Sequence, residues 1–160
     1  MTSLYRITFH WTGGSGKPNG TDLEAYHFLV DENGGIYNGK YKPEDNLDCK
    51  DGKYAHHCGG GNTGNIGIAL CGMWSRLYPI HRIQLERACR LCAELCDKYG
   101  IRITNQTVFT HAEFGNSHTN TSSFGKVDIN KLPCVGIYGV KEVGNWLRNK
   151  VQWYRERLRT

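Results

Sequence analysis

Two charged side chains stand two positions apart in the segment GKVDIN, residues 125–130. In an extended strand, residues i and i+2 point to the same face, so Lys126 and Asp128 would enter one pocket together. One interpretation is a strand start that carries a surface ion pair. The functional interpretation is an active-site wall, where a carboxylate and an ammonium group act at the same bond.

Two histidines far from this segment can complete a metal site with Asp128. His10 ends the first predicted strand on its polar face, and His111 lies in VFTHAEF, which we predict to be a short strand. Two nitrogens and one oxygen suit zinc, and three protein ligands leave a fourth position open for catalysis. Spacing alone does not select this trio, because a strand histidine is often a packing residue and other side chains compete: His27, His56, His57, His81, His118 and Cys58.

The elements that must position these residues alternate between strands and helices. Leu4 to Thr12 alternates apolar and polar residues and predicts a strand, YHFLVDENGGIYNGKY predicts a hairpin that turns at ENGG, and IGIALCG predicts a buried strand. A short helical turn is predicted with Thr21 or Asp22 as its cap. Helical spacing also predicts two long helices, one over about 81–99 that ends at Gly100 and one over about 141–158. The pattern predicts an α/β fold with a mixed central β-sheet flanked by helices, as a single domain over residues 1–160.

Composition limits the classes of function. The chain has 160 residues, 39% hydrophobic and 22% charged, with a formal net charge of +5. It has no run of about 18 apolar residues, and its first residues lack the pattern of a signal peptide. The basic residues form no nucleic-acid signature, so we expect neither nucleic acid nor membrane as a partner. The basic C-terminal run RNKVQWYRERLR favours a solvated helix face, with contact to an anionic surface as the alternative.

Seven cysteines are present, three of them on one helical stripe. Cys89, Cys92 and Cys96 share this stripe with Leu85 and Tyr99. A zinc knuckle needs cysteine pairs on turns, which a helix does not offer. We therefore predict buried, reduced thiols that pack as small hydrophobic side chains in a chain made in a reducing compartment.

Five segments of the chain follow one another in a distinctive order. They are FHWTGG, YHFLVDENGGIYNG, HHCGGGNTGNIGIALCG, THAEF and GKVDI. In this order the chain resembles zinc-dependent N-acetylmuramoyl-L-alanine amidases of the amidase-2 family, which includes short phage endolysins and is similar to peptidoglycan recognition proteins. The resemblance covers about residues 7–129. It implies the fold of that family, a catalytic domain without a separate cell-wall-binding domain, one zinc ion, and hydrolysis of the amide between N-acetylmuramic acid and L-alanine in peptidoglycan.

The resemblance also implies residue roles. It assigns zinc binding to His10, His111 and Asp128, and catalytic assistance to Lys126 and Tyr26. Zinc acidifies water and polarises a carbonyl, Lys126 can stabilise the oxyanion, and the Tyr26 hydroxyl can hydrogen-bond the water or the intermediate. Some relatives use a glutamate base, but Glu24, Glu32 and Glu113 match no such position. The glycine-rich loop follows the family's substrate groove, which implies substrate contacts at His57, Gly60, Asn62 and Asn65, whereas we interpret His27 as structural.

Several biological roles fit such an enzyme. We expect a monomer, made in the cytoplasm and acting on the cell wall after release, as a phage or prophage endolysin does. The alternatives are a secreted antibacterial amidase effector, a cytoplasmic recycling enzyme, and a recognition module that binds peptidoglycan without cutting it. Recognition modules typically lose a metal ligand, and this chain retains all three. Two departures from the family are a short stretch between His10 and Tyr26, which predicts a reduced helix, and the polar segment FGNSHTNTSSFG.

Overall fold

The fold is built on a central β-sheet with helices packed against it. The computed structural model of the chain describes residues 3–73 and 75–159. The strands are β1 (Arg6–Trp11), β2 (Phe28–Val30), β3 (Ile36–Asn38), β4 (Asn65–Leu70), β5 (Val108–Thr110), β6 (Lys131–Leu132) and β7 (Ile137–Tyr138). The α-helices are α1 (Gly20–Ala25), α2 (Arg82–Tyr99), α3 (His111–Ser117) and α4 (Val140–Leu158), and 3-10 turns cover Pro43–Leu47 and Pro133–Val135.

The sheet is mixed, as predicted. Its strand order is β3-β2-β4-β1-β5, in which only the β2–β3 hairpin is antiparallel, and β6 and β7 form a separate two-stranded ribbon. The hairpin turn is closed by Asp31, whose carboxylate accepts from the N–H groups of Asn33 and Gly35. β1 and β4 lie at the centre, where parallel pairing requires cover on both faces.

The two faces of the central strands differ in character. Ile7 and Phe9 of β1 belong to the main apolar core, to which α2 and α4 also contribute. Thr8 and His10 alternate with these residues and therefore point to the other face. On that face the register sets Thr8 beside Gly67 and His10 beside Ala69 of β4. These small neighbours leave room for polar side chains from the surrounding loops.

The helices that cover the apolar face agree with the sequence prediction. α2 ends at Gly100, whose φ of 66° lies in the left-handed region that favours glycine. Cys89, Cys92 and Cys96, the α2 cysteines, are fully buried and free. Within the described residues, no helix combines the length and the apolar character that crossing a membrane requires.

The basic C-terminal run lies on α4, where cations form ion pairs inside the fold. Arg155 lies 2.9 Å from Asp97, and Lys150 lies 3.2 Å from Glu86. Both acidic partners belong to α2, so these pairs join the two long helices. Because these charges are already balanced, the face is less available to an anionic surface than its sequence suggests.

Three local predictions were wrong. The strand predicted to continue to Phe114 ends at Thr110, because Thr110 and Glu113 form a capping box that starts α3 at His111. The segment Lys126–Asn130 is not a strand but irregular chain and turn. The short helix α1 is capped by Asn19, which accepts from the N–H of Asp22 at 2.8 Å, rather than by Thr21 or Asp22.

Candidate metal centre

The structure brings the three predicted metal ligands together. His10 lies near the end of β1, His111 is the first residue of α3, and Asp128 lies in the turn after the polar loop. One donor atom of each lies within 4.8 Å of the others, and all three residues are buried. Among the described residues, no other group of three histidine, cysteine or acidic side chains converges in this way. We call this group the triad.

Asp128 lies between the two imidazole rings of the triad. Its Oδ2 lies 2.9 Å from Nδ1 of His10, and its Oδ1 lies 3.3 Å from Nδ1 of His111. These separations are similar to those between neighbouring ligand atoms on one zinc with bonds of about 2.0–2.2 Å. The backbone also holds the carboxylate in place, because the Asp128 carbonyl accepts from the N–H of Ala112 in α3 at 2.6 Å.

The outer nitrogen of His111 is held by Ser123. The Ser123 hydroxyl lies 2.6 Å from the carbonyl of Gly59 and 2.9 Å from Nε2 of His111. Its single proton goes to the carbonyl, which can only accept, so Nε2 of His111 must donate. A neutral His111 ring then has its lone pair on Nδ1, the atom that faces Asp128. Sequence reasoning missed Ser123, because nothing distinguishes it from the other hydroxyl residues of TNTSS.

The electrostatics of the triad suit a bound cation. Burial lowers the pKa of His10 to about 4, against the opposing effect of the Asp128 carboxylate. At neutral pH His10 is therefore neutral, which is the protonation state that a histidine needs in order to bind a metal. Two nitrogens and one carboxylate fit zinc by their donor chemistry.

A cleft of about 500 Å³ opens over the triad. Tyr26 and Lys126 line it together with His111 and Asp128. The Tyr26 ring centroid lies 5.0 Å from that of His10. Burial, and to a smaller extent the charge of Asp128, raises the pKa of the Tyr26 hydroxyl well above its ordinary value, so it stays protonated at neutral pH. Lys126 is exposed at the rim of the cleft, which Asp128 also lines. The two residues therefore share a pocket, as expected, although the segment that carries them is not a strand.

The four residues predicted to contact substrate divide between the cleft and the interior. Asn62 lines the cleft, and its Oδ1 accepts from the N–H groups of His57 and Cys58. Gly60 does not line the cleft; its neighbour Gly59 does.

Asn65 and His57 were both predicted to contact substrate, and the structure shows their polar side-chain atoms already hydrogen bonded. The Asn65 side chain is fully buried, accepts from Thr8 and donates to the Gly61 carbonyl, so it is not available to a ligand. His57 reaches the cleft wall, but only 4% of its surface is exposed and both its ring nitrogens are hydrogen bonded. One partner is His10, at 3.0 Å.

Two competing ligand candidates have structural roles. His27 accepts from the N–H of Gly67 and hydrogen-bonds Oδ1 of Asn46, as expected of a structural residue. Cys58 is buried 3.9 Å from the Ser123 hydroxyl, and burial raises the pKa of its thiol to about 11, so the thiol stays protonated. A second cavity of about 340 Å³, beside Phe109 and Phe114, contains none of the predicted site residues.

The sequence model of the amidase-2 family, described as N-acetylmuramoyl-L-alanine amidase, matches residues 3–126. The match includes His10, Tyr26, His111 and Lys126 and ends two residues before Asp128. No curated protein matches the chain significantly.

Solved structures of similar fold come from two kinds of protein. N-acetylmuramoyl-L-alanine amidase LysC from Clostridium intestinale URNW is 21% identical, with 69% of this chain and 71% of that chain covered and a TM-score of 0.50. Drosophila peptidoglycan recognition protein SD is 18% identical, with 76% of each chain covered and a TM-score of 0.52. The third structure is the ectodomain complex of peptidoglycan recognition proteins LCa and LCx, solved with tracheal cytotoxin bound. It is 20% identical, with 76% of this chain and 77% of that chain covered and a TM-score of 0.50. At these identities the likeness shows the fold alone.

Proposed function

Because the chain belongs to the amidase-2 family of N-acetylmuramoyl-L-alanine amidases, we propose that it hydrolyses the amide between N-acetylmuramic acid and L-alanine in peptidoglycan, using one zinc ion held by the triad. One observation carries the proposal. Three buried donor atoms converge within 4.8 Å, and two of the triad residues, His111 and Asp128, line a cleft together with Tyr26 and Lys126. A donor set and two candidate catalytic groups in one cleft suit a hydrolase better than a passive binding surface.

The residues of the cleft divide the chemistry between them. When bound, zinc supplies a Lewis acid that polarises a carbonyl and makes water more acidic. Attack on the amide places negative charge on the carbonyl oxygen, and the Lys126 ammonium can donate a hydrogen bond to that charge as it forms. The Tyr26 hydroxyl stays protonated, so its role is to orient water or substrate through hydrogen bonds, not to act as a base.

The carboxylates considered as alternative bases lie outside the cleft lining. Glu113 forms a bidentate ion pair with Arg148 and caps α3. Glu24 lies on the surface, 3.6 Å from Lys40. Glu32 likewise is not among the cleft residues. This placement supports the version of the site that uses tyrosine and lysine.

The test combines metal analysis with product analysis. The purified protein should hold about one zinc per chain, and digested peptidoglycan should release new alanine amino termini while the lactyl groups stay on the sugar. Replacing each triad residue with alanine should lower both zinc content and turnover. Full activity in a zinc-free preparation would refute the metal mechanism, and new reducing sugar ends would indicate a glycosidase instead.

A recognition module that binds peptidoglycan without cutting it is the second candidate. The fold shared with peptidoglycan recognition proteins favours it. The retained triad argues against it, since binding alone needs no donor set for zinc. Muropeptide binding by a zinc-loaded protein that releases no alanine amino termini would favour this second function.

The biological role that we propose is that of a phage or prophage endolysin acting on the cell wall after release. A secreted amidase effector would perform the same chemistry, and so would a cytoplasmic recycling enzyme. The substrate separates these roles: an endolysin should digest intact cross-linked walls, whereas a recycling enzyme should prefer soluble fragments. Turnover of soluble fragments alone would count against the endolysin role.

A further inference from the structure

His57 lies between the backbone of β4 and the metal ligand His10. Its ring packs over Gly67 so closely that a Cβ added there would lie 2.6 Å from Cγ of His57. Its Nε2 lies 2.9 Å from the carbonyl of Asn65, and its Nδ1 lies 3.0 Å from Nε2 of His10. The two imidazoles meet edge to face, with an interplanar angle of 89°. Both ring nitrogens of His57 thus have a hydrogen-bond partner, and one of these partners is the triad residue His10.

The chain of hydrogen bonds fixes where each proton lies. A carbonyl oxygen only accepts, so Nε2 of His57 must carry its proton. A neutral imidazole has one N–H, which leaves Nδ1 of His57 as an acceptor. His10 must therefore donate from Nε2, and its own lone pair is left on Nδ1. That atom faces Oδ2 of Asp128 at 2.9 Å. Two lone pairs that face one another at this distance suit a shared cation.

We propose that His57 is a positioning residue, not a substrate-binding one. It accepts the Nε2 proton of His10 and so holds this ring in the tautomer that presents Nδ1 to the metal. The Asn65 carbonyl in turn sets the tautomer of His57. This inference rests on the proposed function, because it takes the triad as the zinc site. Metal-bound histidines are generally oriented by a hydrogen bond at the other nitrogen, and here a second histidine provides it.

The loop that carries His57 is held firmly enough for this role. The Asn46 amide donates to the carbonyls of Ala55 and Asn62, and its Oδ1 accepts from the N–H of Ala55. The Asn62 side chain accepts from the N–H of His57 itself. The bonds from Asn46 tie both ends of the loop to the 3-10 turn Pro43–Leu47. The His57 ring is therefore placed by its surroundings before any metal binds.

Two substitutions separate the acceptor from the donor of His57. In His57→Asn, the amide oxygen takes about the position of Nδ1 and can still accept from His10. In His57→Gln, the amide nitrogen takes about the position of Nε2 and can still donate to Asn65, but it leaves His10 without its acceptor. We expect His57→Gln to weaken zinc binding by about 10–100-fold and His57→Asn to stay within about threefold of the parent protein. Competition with a chromogenic chelator measures both affinities.

A packing role for His57 predicts the opposite order. Glutamine fills the space over Gly67 better than asparagine, so His57→Asn would then be the more damaging change. Thermal unfolding of both variants reports this packing effect separately from zinc affinity. A weaker affinity for the asparagine variant than for the glutamine variant would overturn the proposal, as would parent-like affinity in both.

A measurement on the parent protein needs no variant. In 15N-labelled protein as purified, long-range 1H–15N spectra should show His57 protonated at Nε2 only, and the His10 proton on Nε2 should couple to Nδ1 of His57. A proton on Nδ1 of His57 would overturn the proposal. If the parent protein itself binds no zinc, the proposed function fails; if it binds zinc while His57 carries the wrong tautomer, only the positioning role fails.

Discussion

Replacing Lys126 with methionine tests the catalytic half of the proposal directly. Lys126 is exposed at the rim of the cleft, and within the described residues its ammonium forms no side-chain hydrogen bond or ion pair. Methionine keeps most of the volume of the stem and removes the charge. The fold and the zinc content should therefore persist, and the free energy of unfolding should change by no more than about 0.5 kcal/mol.

The expected effect on turnover follows from where charge develops. The amide oxygen is neutral in the bound substrate and becomes negative only in the transition state, so Lys126→Met should leave substrate binding nearly unchanged. Loss of one well-placed donor to an oxyanion typically lowers kcat by about 10²–10³-fold, or about 2.7–4 kcal/mol. A surface ion-pair partner would instead contribute less than about 1 kcal/mol of stability and nothing to turnover.

The assay compares the variant with a matched control. Release of alanine amino termini from purified peptidoglycan gives kcat, and metal analysis gives zinc per chain. Lys53→Met makes the same chemical change at an exposed lysine outside the cleft and should keep parent turnover. Parent-rate hydrolysis by Lys126→Met would refute the oxyanion role. Zinc loss in that variant would show instead that Lys126 supports the metal site.

Four further expectations follow from the structure. Changing the α2 cysteines to alanine should leave zinc content intact and lower stability by about 1 kcal/mol or more each, as measured by denaturant unfolding; zinc lost with the thiols would place the metal elsewhere. Stability should fall as pH drops from about 6.5 to 4, because burial lowers the pKa of His10 and of His27 in the folded protein to about 4. Unfolding returns both groups to their ordinary pKa and therefore takes up protons in this pH range. An unfolding midpoint that does not change with pH would contradict this. Ser123→Ala leaves the buried Nε2–H of a ligand histidine without its acceptor and should weaken zinc affinity about 10–100-fold by chelator competition, and parent-like affinity would remove Ser123 from the site. Gly67→Ala places a Cβ 2.6 Å from Cγ of His57 and should displace that ring, so zinc affinity should fall even though strand backbone accepts alanine; unchanged affinity would show that the ring can shift without loss.

Sequence reasoning predicted the long elements because periodicity encodes them. The alternation in β1, the stripe of α2 and the glycine that ends α2 are each visible within one segment. The start of α3 is also encoded, since Thr110 and Glu113 have capping-box spacing, but the apolar residues of VFTHAEF favour a strand and obscure this signal. The consequence for the site is real, because His111 projects from a helix N-terminus rather than from a strand.

The outer contacts of the triad could not be predicted in the same way. Ser123 and His57 act through hydrogen bonds to residues 12 and 47 positions away, and no local pattern distinguishes them from neighbouring polar residues. Asn65 shows the reverse case. Its place in a glycine-rich loop motif suggested a groove residue, but it begins β4, and the burial of that strand turns its amide inward.

The position of the site follows from the two unequal faces of the central strands. Large apolar residues of β1 and β4 point towards α2 and α4, which leaves the opposite face to small or polar residues. Gly67 has no side chain to fill that face, so the ring of His57 can lie directly on the strand and reach His10. A larger residue at position 67 would separate the two rings whatever the loop sequence was. The small residue in the strand is therefore as much a part of the proposed metal site as the ligands, because it determines how closely the outer contacts can approach them.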